Sequence, residues 1–128
     1  MRLLIDTHIF IWYISNDSKL STAARTLIDD ENNEILLSIA SLWEMAIKFS
    51  LGKLCLAIPF ERLIPQQLDI NAISLLNIDF NHLVVVSTLP FHHKDPFDRL
   101  MIAQAIVEKL PIISADSAFD DYLIMRFW

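Results

Sequence analysis

Short apolar runs alternate along this chain with longer stretches in which apolar positions recur at helical spacing. The short runs predict strands at Leu3–Ile5, Ile35–Leu37, Ala72–Leu75 and Pro111–Ser114, with a possible fifth at Leu123–Phe127. The longer patterns predict helices over Thr7–Ile14, Thr22–Asp30, Ala40–Leu51, Phe60–Gln67, Phe80–Thr88 and Pro96–Leu110, with a short turn after Asp116. Gly52 stands where the third helix should stop, the position at which a left-handed residue closes a helix end. Alternation of this kind argues for βαβ units and a parallel sheet, an α/β fold. In such open sheets ligands bind beyond the carboxyl ends of the strands. Asp6 and Asp116 each follow a predicted strand, so the fold can bring both to one edge.

Composition narrows the picture. At 128 residues the chain fits a single domain over 1–128, with no repeat, linker or low-complexity tract. Hydrophobic residues make up 54% and mean hydropathy is +0.42, yet the longest apolar stretch, Ile9–Ile14, falls far short of the ~20 residues that span a bilayer. The excess is therefore expected in a dense core and in an oligomer or partner surface. Asp6 and His8 interrupt any leader-like apolar segment, so the chain is expected to stay in the cytoplasm. The lone Cys55 excludes an internal disulfide, is too little for a thiolate metal site and is expected as a small core residue. The net charge of −6 excludes nucleic-acid binding by phosphate neutralisation alone. Any such activity needs metal ions or a few placed cations such as Lys48, Lys94 and Arg99.

Four acids carry the candidate chemistry, and each also has a plain structural explanation. Asp6 and Asp116 could cap the elements that follow them. In "KDPFDRL", Asp95 suits the cap, Pro96 the first helical position and Asp98 the first turn. Glu44 is harder to explain as surface, because Ala40, Ile47 and Leu51 share its helical stripe; pairing with Lys48 is its simplest structural role. Capping explains each acid separately, but not why acids follow two strands while a third interrupts an apolar stripe. Two carboxylates about 5 Å apart repel by roughly 3 kcal/mol at an effective dielectric of 20. A cluster of four would erode much of a ~5–15 kcal/mol stability margin. A cation must offset it, and oxygen-only ligands select Mg²⁺ or Mn²⁺. His8, His82, His92 and His93 show no zinc spacing, and Trp12, Tyr13, Trp43, Phe49, Phe97, Phe119 and Trp128 are expected in the core.

The segments "LLIDTHIFIW", "SIASLWEMAIK", "HHKDPFDRLMIAQA" and "IISAD", in that order, resemble the acidic motifs of PIN-domain ribonucleases, in the branch of small VapC-type toxins of toxin–antitoxin pairs. The resemblance covers nearly the whole chain. It implies a three-layer α/β/α sandwich with a central parallel sheet of order 3-2-1-4-5, and metal-dependent endonucleolytic cleavage of RNA. It places the family's acids on Asp6, Glu44, Asp98 and Asp116, with Asp6, Asp98 and Asp116 holding Mg²⁺ or Mn²⁺. Thr7 and Ser114 match supporting hydroxyl positions, and Asp95 a turn-forming acid. It further implies a cognate antitoxin and a homodimer, while Arg99 and Lys48 are candidate RNA contacts.

Two other readings compete. A phosphoacid phosphatase wants Asp-x-Asp after the first strand, where this chain has Asp6-Thr7-His8, and a receiver-like domain wants a phosphoacceptor where only "SLLNID" stands. A binding module whose acids are merely caps should bind no stoichiometric Mn²⁺.

Overall fold

A computed structural model describes residues 1–128. The chain runs β1 (Arg2–Ile5), α1 (Thr7–Ile14), α2 (Thr22–Asp29), β2 (Glu34–Ser38), α3 (Ile39–Ser50), α4 (Phe60–Ile70), β3 (Ile73–Leu76), α5 (Phe80–Thr88), α6 (Pro96–Glu108), β4 (Ile112–Ile113), a 3₁₀ turn (Ser117–Asp121) and β5 (Arg126–Phe127). The sheet is parallel throughout, in the order β3-β2-β1-β4-β5.

Strand β1 explains the layering. Successive side chains of a strand point to opposite faces, and both faces here are apolar. Leu3 and Ile5 pack with Ile35, Leu37, Ile9 and Ile28 on one side, against α1 and α2. Leu4 packs with Leu36, Ile112, Met101 and Ile102 on the other, against α6. Each face needs a helical cover, which gives the three layers.

Helix α3 ends as Gly52 predicts. Gly52 has φ +70°, its N–H reaches Phe49 O at 3.1 Å, and Lys53 N–H reaches Lys48 O at 2.8 Å, the paired bonds of a Schellman end. Other boundaries move. Helix α4 continues to Ile70 despite Pro65, and β3 begins at Ile73 because Ala72, at φ +51°, makes the turn into it. Lys109, at φ +55°, stops α6 before Leu110. The fifth strand shrinks to Arg126–Phe127, with Leu123 fully exposed ahead of it.

Two burial expectations fail. Cys55 is exposed, because the segment after α3 alternates and turns Leu54 and Leu56 inward instead. Of the seven aromatics expected in the core only Phe119 is fully buried; Trp12, Tyr13 and Phe97 are half-buried, and Trp43, Phe49 and Trp128 are exposed. The apolar excess therefore divides between a core and an open surface that also carries Phe80 and Phe91. No helix is long and apolar enough to cross a membrane.

Candidate metal centre

Sheet register assembles the site. Ile5 pairs with Ile113, so the residues that follow them, Asp6 and Ser114, meet at the carboxyl edge. There Ser114 Oγ–H donates to Asp6 Oδ2 and accepts Asp116 N–H at 3.0 Å, which joins the two acids through one hydroxyl. Asp6 Oδ1 accepts Ile9 N–H at 2.8 Å as the cap of α1, and Asp116 Oδ1 accepts Ala118 N–H at 2.9 Å as the cap of the 3₁₀ turn. Both acids thus cap with one oxygen and leave the other turned to the site. Capping and ligation were alternatives in the sequence; in the fold each carboxylate caps with one oxygen, and its second oxygen is held by a side chain, Ser114 for Asp6 and His93 for Asp116.

Asp98 sits in the first turn of α6, with its cap supplied by Asp95, whose Oδ1 accepts Asp98 N–H at 2.9 Å. Its Oδ2 lies 3.0 Å from His93 Nε2, which is also 3.2 Å from Asp116 Oδ2. Burial and then the Asp95 charge push the Asp98 carboxyl up to about 7, with Asp6 and Glu44 adding to the rise and His93 opposing it. Asp6 is raised as well, by burial first, against the lowering effect of its bonds to Ser114 and Ile9. Both rises are caused first by burial, so the two carboxyls are costly to ionise where they stand.

Glu44 is buried on α3 with both oxygens engaged. Thr7 Oγ1–H donates to Oε1 at 2.8 Å, with Ser41 Oγ 3.0 Å from the same hydroxyl, and Lys48 Nζ meets Oε2 at 2.7 Å. The Lys48 pair therefore forms, and Glu44 still acts on Asp98 through its charge. Lys48, expected as an RNA contact, has its ammonium held by Glu44.

Arg99 is corrected more sharply. It is buried, and its guanidinium donates to Leu89 O and Pro90 O at 3.0 Å and to His93 O at 3.2 Å while lying 3.9 Å over the Phe91 ring. An arginine with three carbonyl partners on one loop is a clamp, not a phosphate contact. Lys94, exposed and outside every ion pair, is the remaining candidate cation at this edge. Sequence reasoning set His93 aside for want of a ligand spacing; its place between two acids depends on the Arg99 clamp and was not readable from spacing.

The donors fit a hard divalent cation: carboxylate oxygens from Asp6, Asp98 and Asp116, with Asp98 Oδ2, Asp116 Oδ2 and His93 Nε2 all within 4.8 Å of one another. Beside them Asp6, Asp116, His8, Trp12 and Ala115 line an open cavity of about 290 Å³.

Comparison with known proteins bears on the family and the fold. The family model described as PIN domain matches residues 3–123. Ribonuclease VapC16 of Mycobacterium tuberculosis (strain ATCC 25618 / H37Rv) is 40% identical over 58 residues, 45% of this chain; the match spans only 41% of that relative. Among solved structures, VapBC2 from Rickettsia felis bound to a DNA fragment from its promoter superposes with a TM-score of 0.68 at 17% identity, covering 99% of this chain and 98% of the other. FitAcB from Neisseria gonorrhoeae gives a TM-score of 0.70 at 14% identity, covering 98% and 96%.

Proposed function

Because the chain belongs to the PIN-domain family, we propose that it is a Mg²⁺- or Mn²⁺-dependent endoribonuclease and the toxin of a toxin–antitoxin pair. The observation that carries the reading is the approach of Asp98 Oδ2 and Asp116 Oδ2 within 4.8 Å, with Asp6 joined to Asp116 through Ser114 and acting on Asp98 through its charge. A hard cation, when bound, supplies an activated water and neutralises the phosphate. The residues do the rest. Asp6, Asp98 and Asp116 would hold the cation. Ser114 fixes Asp6 against Asp116, and Thr7 with Lys48 fixes Glu44. Lys94 stands at the rim for the RNA backbone. The ribonuclease relative and the VapBC neighbours support this reading over a phosphatase or receiver.

Glu44→Gln measures the share of that residue. Turnover is expected to fall at least tenfold, about 1.4 kcal/mol in the barrier. Wild-type turnover with a small stability loss would leave Glu44 as a partner of Lys48 and nothing more.

The partner reading rests on an apolar groove. Ile11 and Ile14 of α1, Met45 of α3, Leu63 of α4 and Leu54 and Leu56 of the connecting segment line a recess of about 150 Å³. An antitoxin segment with an amphipathic helix suits such a groove, and an Arg or Lys following it would pair with the acids of the site. Inhibition is then competitive with Mn²⁺. Co-expression with the adjacent small protein, size exclusion and RNase assays across a Mn²⁺ titration check this. A complex as active as the free chain, or no complex at micromolar concentration, would defeat the toxin–antitoxin reading and leave the nuclease reading standing. We also assign the exposed Trp43, Phe80 and Phe91 to self-association as a dimer, in a chain that acts in the cytoplasm.

A further inference from the structure

Asp98 and Asp116 come from different elements, yet a single nitrogen lies against both, His93 Nε2 at 3.0 Å and 3.2 Å. The opposite ring nitrogen decides what that contact is. Asp95 N–H donates to His93 Nδ1 at 3.2 Å. A backbone amide can only donate, so Nδ1 presents its lone pair and the proton of the neutral ring sits on Nε2. The ring has little freedom to escape this arrangement. It packs edge-to-face on Phe119 at 5.8 Å, the backbone N–H of His93 donates to Tyr122 Oη at 2.9 Å, and the backbone carbonyl of His93 accepts from Arg99.

We propose that His93 is a positioning residue: its Nε2–H donates to Asp116 Oδ2 while the same nitrogen lies 3.0 Å from Asp98 Oδ2, so the ring sets the spacing of the two acids, and the Asp95 amide on its other nitrogen bars it from ligating the cation. A ring nitrogen ligates only through a lone pair. For Nε2 to offer one, the proton must move to Nδ1, where it would face Asp95 N–H, donor against donor, at a half-buried position. The cation therefore meets oxygen ligands only, although a histidine lies within hydrogen-bond distance of two of them. That restriction turns the site toward Mg²⁺ and Mn²⁺ and away from Zn²⁺, which gains from imidazole. His82 shows the same device at a junction between helices: Nδ1 accepts Asp79 N–H at 3.0 Å and Nε2 lies 3.1 Å from Glu108 Oε1 of α6. It serves as an internal reference. The inference rests on the metal-site reading of Asp98 and Asp116; the tautomer does not.

The test uses the full chain, stripped of metal, at one fixed pH of about 8, where an unperturbed imidazole is neutral. Nitrogen-15 NMR of the ring should place the His93 proton on Nε2, as for His82, and adding Zn²⁺ should leave the Nε2 resonance without the large shift that ligation causes. Calorimetry with Mn²⁺ and with Zn²⁺ should give His93→Gln, which keeps a donor but has no ligand nitrogen, affinities within about threefold of wild type for both ions. His93→Ala, with no donor, should bind Mn²⁺ about 10–100-fold more weakly, the usual effect of losing a partner that orients a ligand. A proton on Nδ1, a Zn²⁺-induced Nε2 shift, a His93→Gln loss as large as that of His93→Ala, or unchanged Mn²⁺ binding in His93→Ala would each overturn the proposal. Absence of stoichiometric Mn²⁺ binding to the wild type would overturn the metal-centre reading itself, whatever tautomer is found.

Discussion

Asp98→Asn is expected to abolish RNA cleavage and, in metal-free buffer near pH 8, to make the protein more stable than the wild type. The Asp98 side chain is about a quarter exposed (24%), and its carboxyl stands at about 7, raised by burial and then by Asp95. A raised carboxyl favours the protonated native state, so its ionisation destabilises the fold. That cost is absent below the ordinary carboxylate range, grows as pH rises from about 4, and is complete above about 7. Asn removes it. The gain is on the order of 2–4 kcal/mol from the size of the shift, against roughly 0.3–1 kcal/mol for losing an acid near a helix N-terminus, so stabilisation wins. Thermal melts in EDTA should show a rise of order 10 °C at pH 8 that shrinks toward zero near pH 4, and saturating Mn²⁺ should reverse the order of the two proteins. A lower melting temperature for Asp98→Asn at pH 8 in EDTA would mean that Asp98 serves the helix and not a cation.

The same acids set how the site responds to metal and proton together. Cleavage should vanish in EDTA and return with Mg²⁺ or Mn²⁺. Below about pH 7 the cation must displace the proton of Asp98, so apparent Mn²⁺ affinity should weaken by about tenfold per pH unit, and more steeply where Asp6 also takes up a proton. Calorimetry in buffers of different ionisation enthalpy counts the protons released. Undiminished cleavage in EDTA, or an affinity flat between about pH 5.5 and 7, would sink the proposed chemistry.

Much of this was legible from residue order. The unbroken apolar run Leu3–Ile5 reads as a buried strand, and an acid directly after it reads as a cap or a site, because strand ends are where open sheets gather ligands; the central place of that strand came from the family resemblance. Glu44 announced itself by interrupting an apolar stripe. The side-chain alternation that exposes Cys55 and the left-handed turns at Ala72 and Lys109 were hidden, since none of the three residues favours its conformation intrinsically. The surroundings of Arg99 and His93 were hidden for a related reason. Charge type marks a cation as a candidate for phosphate, but only the path of the loop from Leu89 to Asp95 shows that Arg99 faces inward and His93 faces the acids.

Strand β1 lies at the middle of the sheet, between β2 on one side and β4 on the other, and the Ser114–Asp6 bond spans 108 positions of sequence. In the order of synthesis, Asp6 therefore precedes the serine that holds it by nearly the whole length of the sheet-forming chain. A nascent chain halted before Ile112 holds Asp6, Glu44 and Asp98 but neither the serine that fixes Asp6 nor Asp116. On the proposed reading, a chain that stops before Ile112 is expected to be inactive however much of it has folded, because the segment that carries Ser114 and Asp116 closes the site last.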